Sequence, residues 1–328
     1  ETRASRAMHN RKKASQSAAK DAVLRAKGAK YAEASRRVLA LRASGVGGPE
    51  ALAASAKVLG ANPEHYSLWG WRREVLQAMH PEPAEGRADA LQDEWALTQD
   101  ALGENPKSYC VWHHRRWCLE WGGEHVAGQG GRDVHLCDKL LTLDARNFHC
   151  WQYRRWLVDM RGEGVDAQLA FASHKIEEDF SNYSAWHERA RLLRMGPGDE
   201  STLADELQLV RNAFYTAPED SSAWFYHRWL LGRAKAMADG AVSPAGKEEV
   251  RSSLRGELEM LEELLDLEPG AKWPMLAGVR VCIILGGAEE AALAREWLAS
   301  LRLVDPQRSA HYEHLVRELT PVADGSSG

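Results

Sequence analysis

The stretch Asn105-Pro-Lys-Ser-Tyr-Cys-Val-Trp-His-His-Arg-Arg-Trp117 decides the fold of this chain, because weaker versions of it recur along the sequence. The clearest marker of the recurrence is a tryptophan that returns at intervals of 35 to 43 residues. Its positions are Trp69, Trp112, Trp151, Trp186 and Trp224. A repeat of this length is typical of solenoid proteins, in which each repeat is one supersecondary unit that packs on its neighbours.

The residues around each tryptophan keep a fixed register. Three residues after it come Arg72, Arg115, Arg154, Arg189 and His227, and seven residues after it comes a leucine or valine. Positions 0, +3 and +7 share one face of a helix, so each tryptophan is expected on a buried helical face. The residue at +3 is expected to reach a carboxylate or a helix end of the neighbouring repeat, with its stem packed on the indole.

The start of each tryptophan-bearing helix, called a Trp helix below, is predicted from polar residues ahead of it. Proline lies six residues before the tryptophan at three positions, and asparagine precedes it at Asn62 and Asn105. Asn as N-cap with Pro at the first helical position is a strong helix start. Asp144 and Asp179 are the corresponding predicted caps. The pattern predicts Trp helices at 62–79, 105–121, 144–160, 179–195 and 217–233, with a degenerate one at 269–285 around Trp273.

Second amphipathic segments lie between the Trp helices, so each repeat is predicted to be a helical hairpin and the chain all-α. One repeat domain is expected over residues 14–320, between a basic arm at 1–13 and a disordered tail at 321–328. The Gly-rich stretch 122–131 and the polar stretch 234–247 are expected to be connectors.

Composition narrows the functional classes. The net charge of the 328 residues is −5, but residues 1–37 hold eleven Lys/Arg against three Asp/Glu. The rest of the chain is acidic and offers no basic face, so nucleic-acid binding is not expected. Five cysteines without a CxxC pair favour free thiols in a reducing compartment, and we expect a cytoplasmic protein. The longest apolar run, 279–285, is too short to span a membrane.

Residues with catalytic potential are scarce. His113 and His114 are adjacent, so they point about 100° apart on a helix and cannot both face one metal ion; no metal site is expected in this chain.

Lys107 is predicted in the first turn of a Trp helix, where the helix dipole disfavours a cation. Free backbone N–H groups beside an ammonium would suit a diphosphate. From the residues alone, Lys107 is either a diphosphate ligand or a solvated surface lysine.

These motifs resemble the alpha subunits of protein prenyltransferases, and within that family the Rab geranylgeranyltransferase (type II) kind. The resemblance covers about residues 8–319 and includes the opening Met8-His-Asn-Arg11. Three further segments carry it: Arg146-Asn-Phe-His-Cys-Trp151, Phe180-Ser-Asn-Tyr-Ser-Ala-Trp186 and Ala223-Trp-Phe-Tyr-His-Arg-Trp-Leu-Leu-Gly-Arg233.

The resemblance implies a crescent-shaped, right-handed alpha-alpha superhelix of helical hairpins around a beta subunit that holds the catalytic Zn²⁺ and the lipid pocket. The implied activity is transfer of geranylgeranyl from geranylgeranyl diphosphate to C-terminal cysteines of Rab GTPases, which a Rab escort protein presents. The implied site residues are Lys107, Tyr109 and His149. Lys107 would contact the isoprenoid diphosphate and stabilise its charge as it leaves.

Two departures bear on the subtype. Cys110 stands where the farnesyltransferase kind has a polar residue, and Phe148 stands where it has a tyrosine. Both differences favour the Rab kind. The alternatives are the alpha subunit shared by CaaX farnesyltransferase and geranylgeranyltransferase type I, and a non-enzymatic tetratricopeptide-like scaffold. The latter repeats at 34 residues without the Trp-x-x-Arg-Arg register.

Overall fold

The computed structural model describes residues 18–81, 86–193, 199–240 and 243–319. These ranges contain helices and turns and no β-strand, which confirms the all-α prediction. Within the same ranges, no helix is both long enough and apolar enough to cross a membrane. The predicted arm, 1–13, and the predicted tail, 321–328, lie outside the described residues, and the single repeat domain stays a prediction.

The chain forms two compact units, one ending at Arg161 and one starting at Gly162. The helices of the first unit are α1 Ala18–Ala43, α2 Pro49–Ala61, α3 Tyr66–Met79, α4 Arg87–Glu104, α5 Tyr109–Gly122, α6 Ala127–Leu143 and α7 Phe148–Met160. Those of the second unit are α8 Val165–Glu178, α9 Tyr183–Leu192, α10 Glu200–Thr216, α11 Ser221–Gly240, α12 Pro244–Leu267, α13 Lys272–Leu285, α14 Ala288–Val304 and α15 Ser309–Glu318. The Trp helices α3, α5, α7, α9 and α11 pack on the helix that precedes each of them, so the repeat is a helical hairpin as predicted.

The five register tryptophans are buried, as the periodicity predicts. Each indole Nε1–H donates to the backbone carbonyl six residues earlier, at 2.8–2.9 Å. The acceptors are the carbonyls of Pro63, Pro106, Ala145, Phe180 and Pro218. A buried indole needs such an acceptor for its only donor. The tryptophan therefore ties its helix to the turn that leads into it.

The predicted N-caps are wrong. Asn62, Asn105 and Asp144 end the preceding helix, and the Trp helices start four residues later, at Tyr66, Tyr109 and Phe148. The reason is a side-chain turn: Asn105 Oδ1 accepts the N–H of Lys107 at 3.2 Å, and Asp144 Oδ1 accepts that of Arg146 at 3.2 Å. An Asx turn of this kind competes with N-capping for the same side-chain oxygen. Asp179 makes the same turn, to the N–H of Ser181.

The residue three positions after each tryptophan reaches a buried carboxylate of the next hairpin in four of the five repeats, as expected. Arg72 binds Glu94, Arg115 binds Asp133, Arg189 binds Glu206, and His227 lies 3.0 Å from Glu257. Arg154 differs, because its guanidinium donates to Asp138 of its own hairpin at 2.9 Å.

Three of these carboxylates also receive a hydrogen bond from the following Trp helix, at the position two residues after its tryptophan. The donors are His114 to Glu94, Tyr153 to Asp133 and Tyr226 to Glu206. Burial would raise the pKa of Glu94, but the bonds from His114 and Arg72 outweigh it and lower that pKa to about 2. One acid thus joins two consecutive Trp helices.

The two predicted connectors are also wrong in extent. Residues 123–126 form a short 3₁₀ helix and α6 begins at Ala127, so the Gly-rich stretch is mostly helical. The helix α11 continues to Gly240 because Ala234 and Met237 on its inner face are buried. Residues 244–247 of the same stretch belong to α12, which begins at Pro244.

The last helices pack around one glycine. Met275, Val279 and Cys282 of α13 form a buried cluster with α14 and α15. Gly278 lies under the ring of Trp297, and a Cβ at that glycine would come within 2.2 Å of the indole. The absence of a side chain at Gly278 is what lets α13 and α14 approach.

Candidate functional site

A cleft of about 90 Å³ lies between the Trp helices α5 and α7. Two of the three predicted site residues meet there: the rings of Tyr109 and His149 are 6.1 Å apart, edge to face. Both follow directly from the helix starts, since Tyr109 is the first residue of α5 and His149 the second of α7. The side chain of Tyr109 is 61% exposed, so the cleft opens to solvent. Its full lining is Tyr109, Trp112, His113, Arg116, His149, Gln152, Tyr153 and Trp156.

The buried side chain of Asn147 holds the two helix starts together. Its Oδ1 accepts the N–H of Cys150 at 3.1 Å and caps α7. Its Nδ2 donates to the carbonyl of Pro106 at 3.0 Å, on the turn before α5. That carbonyl already accepts from the Trp112 indole. The Pro106 carbonyl thus accepts two hydrogen bonds, one from each Trp helix region, and these bonds set where His149 lies relative to Tyr109.

Lys107 lies elsewhere than predicted. It stands two residues before α5, in the Asx turn, and not in the first helical turn. Its Nζ is 3.0 Å from Asp144 Oδ2, on the equivalent turn of the next repeat, and 66% of its side chain is exposed. The hydrogen bond from Lys107 lowers the pKa of the Asp144 carboxyl. Lys107 does not line the cleft of Tyr109 and His149, although only one residue separates it from Tyr109.

The electrostatics around the cleft favour the neutral form of His113. Burial, followed by the charge of Arg73, lowers the pKa of His113. Arg73 Nη1 is 3.1 Å from His113 Nδ1, so Nδ1 accepts and the imidazole proton lies on Nε2. The cleft therefore offers an N–H donor at His113, and Arg116, which also lines the cleft, is paired with Glu120 at 2.8 Å.

His113 and Arg116 line the cleft although neither was predicted as a site residue. Tyr109, His113 and Arg116 follow the spacing i, i+4, i+7, which puts them on one helical face. That spacing is a signal the sequence contains. Gln152 and Trp156 could not be found this way, because their place depends on how α7 packs against α5.

The two residues that marked a departure from the farnesyltransferase kind lie at the same helix starts. Phe148 is the first residue of α7 and is 68% exposed. Cys110 is half-buried, with Sγ 3.9 Å from the carbonyl of Glu64. Burial, and then the charge of Glu64, raise the pKa of the Cys110 thiol, so it is not an activated nucleophile.

Histidine, cysteine and acidic side chains are the groups that could bind a metal ion. In the ranges that the structure covers, no three of them come together in a way that could hold one. The buried histidine His114 is engaged with Glu94 at 2.9 Å.

Comparison with known proteins gives a consistent set of relatives. Five segments match the family described as "Protein prenyltransferase alpha subunit repeat": residues 49–79, 91–122, 132–161, 165–196 and 203–234. The geranylgeranyl transferase type-2 subunit alpha of Homo sapiens is 36% identical over 278 residues, which cover 81% of this chain and 46% of that protein. The protein of the same name from Dictyostelium discoideum is 32% identical over 275 residues, covering 80% of this chain and 83% of that one.

The chain therefore spans about half the length of the mammalian relatives it matches, and over four-fifths of the shorter one. Among solved structures, a chain of Candida albicans protein geranylgeranyltransferase-I complexed with GGPP superposes with a TM-score of 0.66 at 22% identity. The match covers 89% of this chain and 91% of that one, and it confirms the alpha-alpha superhelix fold class.

Proposed function

Because this chain belongs to the protein prenyltransferase alpha subunit family, we propose that it is the alpha subunit of a heterodimeric Rab geranylgeranyltransferase (type II). Its reaction is the transfer of geranylgeranyl from geranylgeranyl diphosphate to C-terminal cysteines of Rab GTPases. The observation that carries the proposal is the identity of 32–37% to type-2 alpha subunits over about four-fifths of the chain.

The role that we propose for Lys107 is electrostatic. As the bond between C1 of the isoprenoid and the diphosphate oxygen breaks, negative charge grows on the diphosphate, and an ammonium beside it stabilises that charge. The ion pair with Asp144 does not prevent this role. An exposed pair contributes about 0–1 kcal/mol, so a diphosphate, which carries more charge than one carboxylate, can compete for the lysine.

Tyr109 and His149 are proposed to contact the diphosphate or the bound substrate from the cleft between α5 and α7. Their rings are adjacent and line a cleft that opens to solvent, so each can turn a polar edge toward a ligand. Neither is proposed as a general base.

We assign the remaining parts of the reaction to partners. The beta subunit would supply the catalytic Zn²⁺ and the lipid pocket, and the zinc would supply an activated substrate thiolate. Three exposed rings in the first unit, Tyr66, Tyr109 and Phe148, stand at equivalent helix starts. Exposed aromatic residues of this kind are enriched at protein interfaces, which suits a contact with the beta subunit. A Rab escort protein would present the Rab substrate.

The compartment that we propose is the cytoplasm. Four of the five cysteines are buried and all five are free thiols in the structure. Free thiols of this kind fit a reducing environment.

Co-expression with candidate beta subunits tests the proposal. We expect a stable heterodimer with a type II beta subunit and transfer of geranylgeranyl to a Rab in the presence of its escort protein. Assembly with a CaaX-type beta subunit instead would favour the farnesyltransferase alternative, and assembly with neither would favour a scaffold.

The site is tested in that heterodimer. Lys107→Ala should leave assembly intact and slow transfer by at least about tenfold, since a donor to a developing oxyanion is typically worth about 10²–10³ in rate. Lys247→Ala, which removes an exposed lysine from α12, is the matched control. Equal transfer rates for the two variants would remove Lys107 from the site.

A further inference from the structure

The cleft of Tyr109 and His149 has equivalents between later Trp helices. One lies between α9 and α11, with Tyr183, Trp186 and Trp229 on its walls. Another lies between α11 and α13, with Phe225 and Trp273 on its walls. We call the position of the repeated tryptophan in each Trp helix its register position. Each cleft is lined by the residue four after this position in one helix and by the residue five after it in the next. The pair is Arg116 and Trp156 in the first cleft, and Ala190 and Trp229 in the second. Differences at this pair of positions therefore change what an otherwise common cleft can bind.

In the first unit this pair consists of an arginine and an indole. The guanidinium of Arg73 lies 6.0 Å from the ring of Trp117, and that of Arg116 lies 4.7 Å from the ring of Trp156. Both are cation–π contacts, in which the ring face balances part of the positive charge.

The cleft between α11 and α13 breaks this pattern. Arg228 stands four residues after Trp224, as Arg116 does after Trp112. In α13 the register position six after Pro269 is the buried Met275, and five residues further comes Arg280 instead of a tryptophan. Arg228 and Arg280 both line the cleft. The guanidinium of Arg280 thus stands at the position where the first unit has the indole ring that packs against an arginine.

Neither Arg228 nor Arg280 has an ion-pair partner within the described parts of the chain. There, no carboxylate lies within ion-pair distance of Arg228 or Arg280, and none lines the cleft. Glu318 acts on Arg280 at longer range, but it lies 3.3 Å from His314. Burial, and then the charge of Arg228, lower the pKa of Arg280, which is the direction expected for like charges held together.

We propose that the cleft between α11 and α13 binds a small oxyanion, a carboxylate or a phosphate group, between Arg228 and Arg280. Planar guanidinium groups bind both kinds of oxyanion through paired, charge-assisted hydrogen bonds. The rings of Phe225 and Trp273, with centroids 5.7 Å apart, form an apolar wall of the cleft, and hydrogen bonds beside apolar groups are stronger than those in water. The cleft holds about 40 Å³, enough for one such group and less than half the 90 Å³ beside Tyr109.

The test measures the thermal stability of the full 328-residue chain with rising sodium phosphate or sodium acetate, at an ionic strength fixed with sodium chloride. A bound anion should raise the Tm by about 2–4 °C at about ten times its Kd. Phosphate also stabilises proteins without a site, so the readout is the difference between wild type and Arg280→Leu. The variant should lose the site-specific part of the shift.

Two further variants separate the outcomes. Arg280→Trp restores the ring found at Trp117 and Trp156, so it should fold yet lose the anion-dependent shift. Arg302→Leu removes an exposed arginine from α14 and should keep the full shift. A shift with phosphate alone identifies a phosphate group, whereas an equal shift with acetate identifies a carboxylate such as an acidic side chain. The same shift in wild type and in Arg280→Leu, or none in wild type, overturns the proposal.

Discussion

Glu94 receives a hydrogen bond from His114, at 2.9 Å, while Arg72 binds the same carboxylate from the preceding Trp helix. All three side chains are buried. The carboxylate is ionised because each of its oxygens has a donor, and the imidazole is neutral because burial lowers the pKa of His114. The stability of the first unit should depend strongly on this group.

Glu94→Gln should destabilise the first unit by about 3–5 kcal/mol, because it leaves the Arg72 guanidinium buried without a counter-ion. Urea unfolding followed by circular dichroism measures the loss. Asp239→Asn is the control: it breaks the exposed pair with Lys235 and should change the free energy of unfolding by less than about 1 kcal/mol. Similar losses for both variants would contradict a special role for the buried acid.

The buried group of Arg72, Glu94 and His114 should make the folded state less stable as the pH is lowered. Below the ordinary pKa of 6.5 the unfolded chain protonates His114, whereas the folded chain, whose His114 pKa is lowered, does not. Below 4.5 the unfolded chain also protonates Glu94, whose folded pKa is about 2. Stability is therefore lost as pH falls from 6.5 toward 2.

The variant His114→Gln keeps a donor to Glu94 but cannot titrate. Its loss of stability between about pH 7.5 and about pH 5.5, a window that spans the ordinary histidine pKa, should be smaller than that of wild type. An equal loss would show that other groups set the slope.

Asn147→Ala should lower both stability and transfer. It removes the α7 cap, worth about 0.5–2 kcal/mol, and the bond to the Pro106 carbonyl that sets His149 beside Tyr109. The matched control is Asn182→Ala. Asn182 caps α9 through the N–H of Ala185, but its Nδ2 has no hydrogen-bond partner in the described residues. A rate loss confined to Asn147→Ala, measured in the heterodimer, would establish the link as the reason.

Gly278→Ala should destabilise the second unit by about 1–3 kcal/mol, because the new methyl group would overlap the ring of Trp297. Gly232→Ala in α11 is the opposite case. Nothing lies within 4 Å of a Cβ built there, and alanine should stabilise that helix by about 0.5–1 kcal/mol. Thermal unfolding of both variants checks the pair, and a stable Gly278→Ala protein would mean that Trp297 can move aside.

Asp144→Asn tests whether the ion pair restrains Lys107. Removing the carboxylate frees the ammonium, so transfer should be unchanged or faster, with a change in stability below about 1 kcal/mol. In the double variant with Lys107→Ala, the effect of Asp144→Asn on the rate should vanish. An additive double variant would show that Asp144 acts on the reaction independently of Lys107.

The repeat could be predicted from the sequence because its signal is local. Trp112, Arg115 and Leu119 lie within eight residues and fall on one face of a helix. The buried acids could not be predicted, because their distance from the arginine varies: Glu94 is 22 residues after Arg72 and Asp133 is 18 after Arg115. The hairpin geometry brings each pair together, and no fixed spacing records it.

The predicted helix starts failed for a different reason. An asparagine followed by proline suits an N-cap and an Asx turn equally, and the choice depends on where the indole of Trp112 finds its acceptor. Because the Pro106 carbonyl faces that indole, residues 105–108 form a turn and the helix starts at Tyr109. Lys107 is therefore in the turn. That placement brings it within reach of Asp144, a partner that the sequence does not suggest.

The acids shared by consecutive Trp helices also bear on how such a chain can evolve. Each of Glu94, Asp133 and Glu206 takes a donor from the repeat before it and another from the Trp helix of its own repeat. A duplicated repeat would bring an acid, a donor for it and a donor for the next acid. Duplication of the hairpin of α4 and α5, which has the complete set in Glu94, His114 and Arg115, would therefore leave no buried charge without a partner. An insertion of half of that hairpin would leave one unpaired.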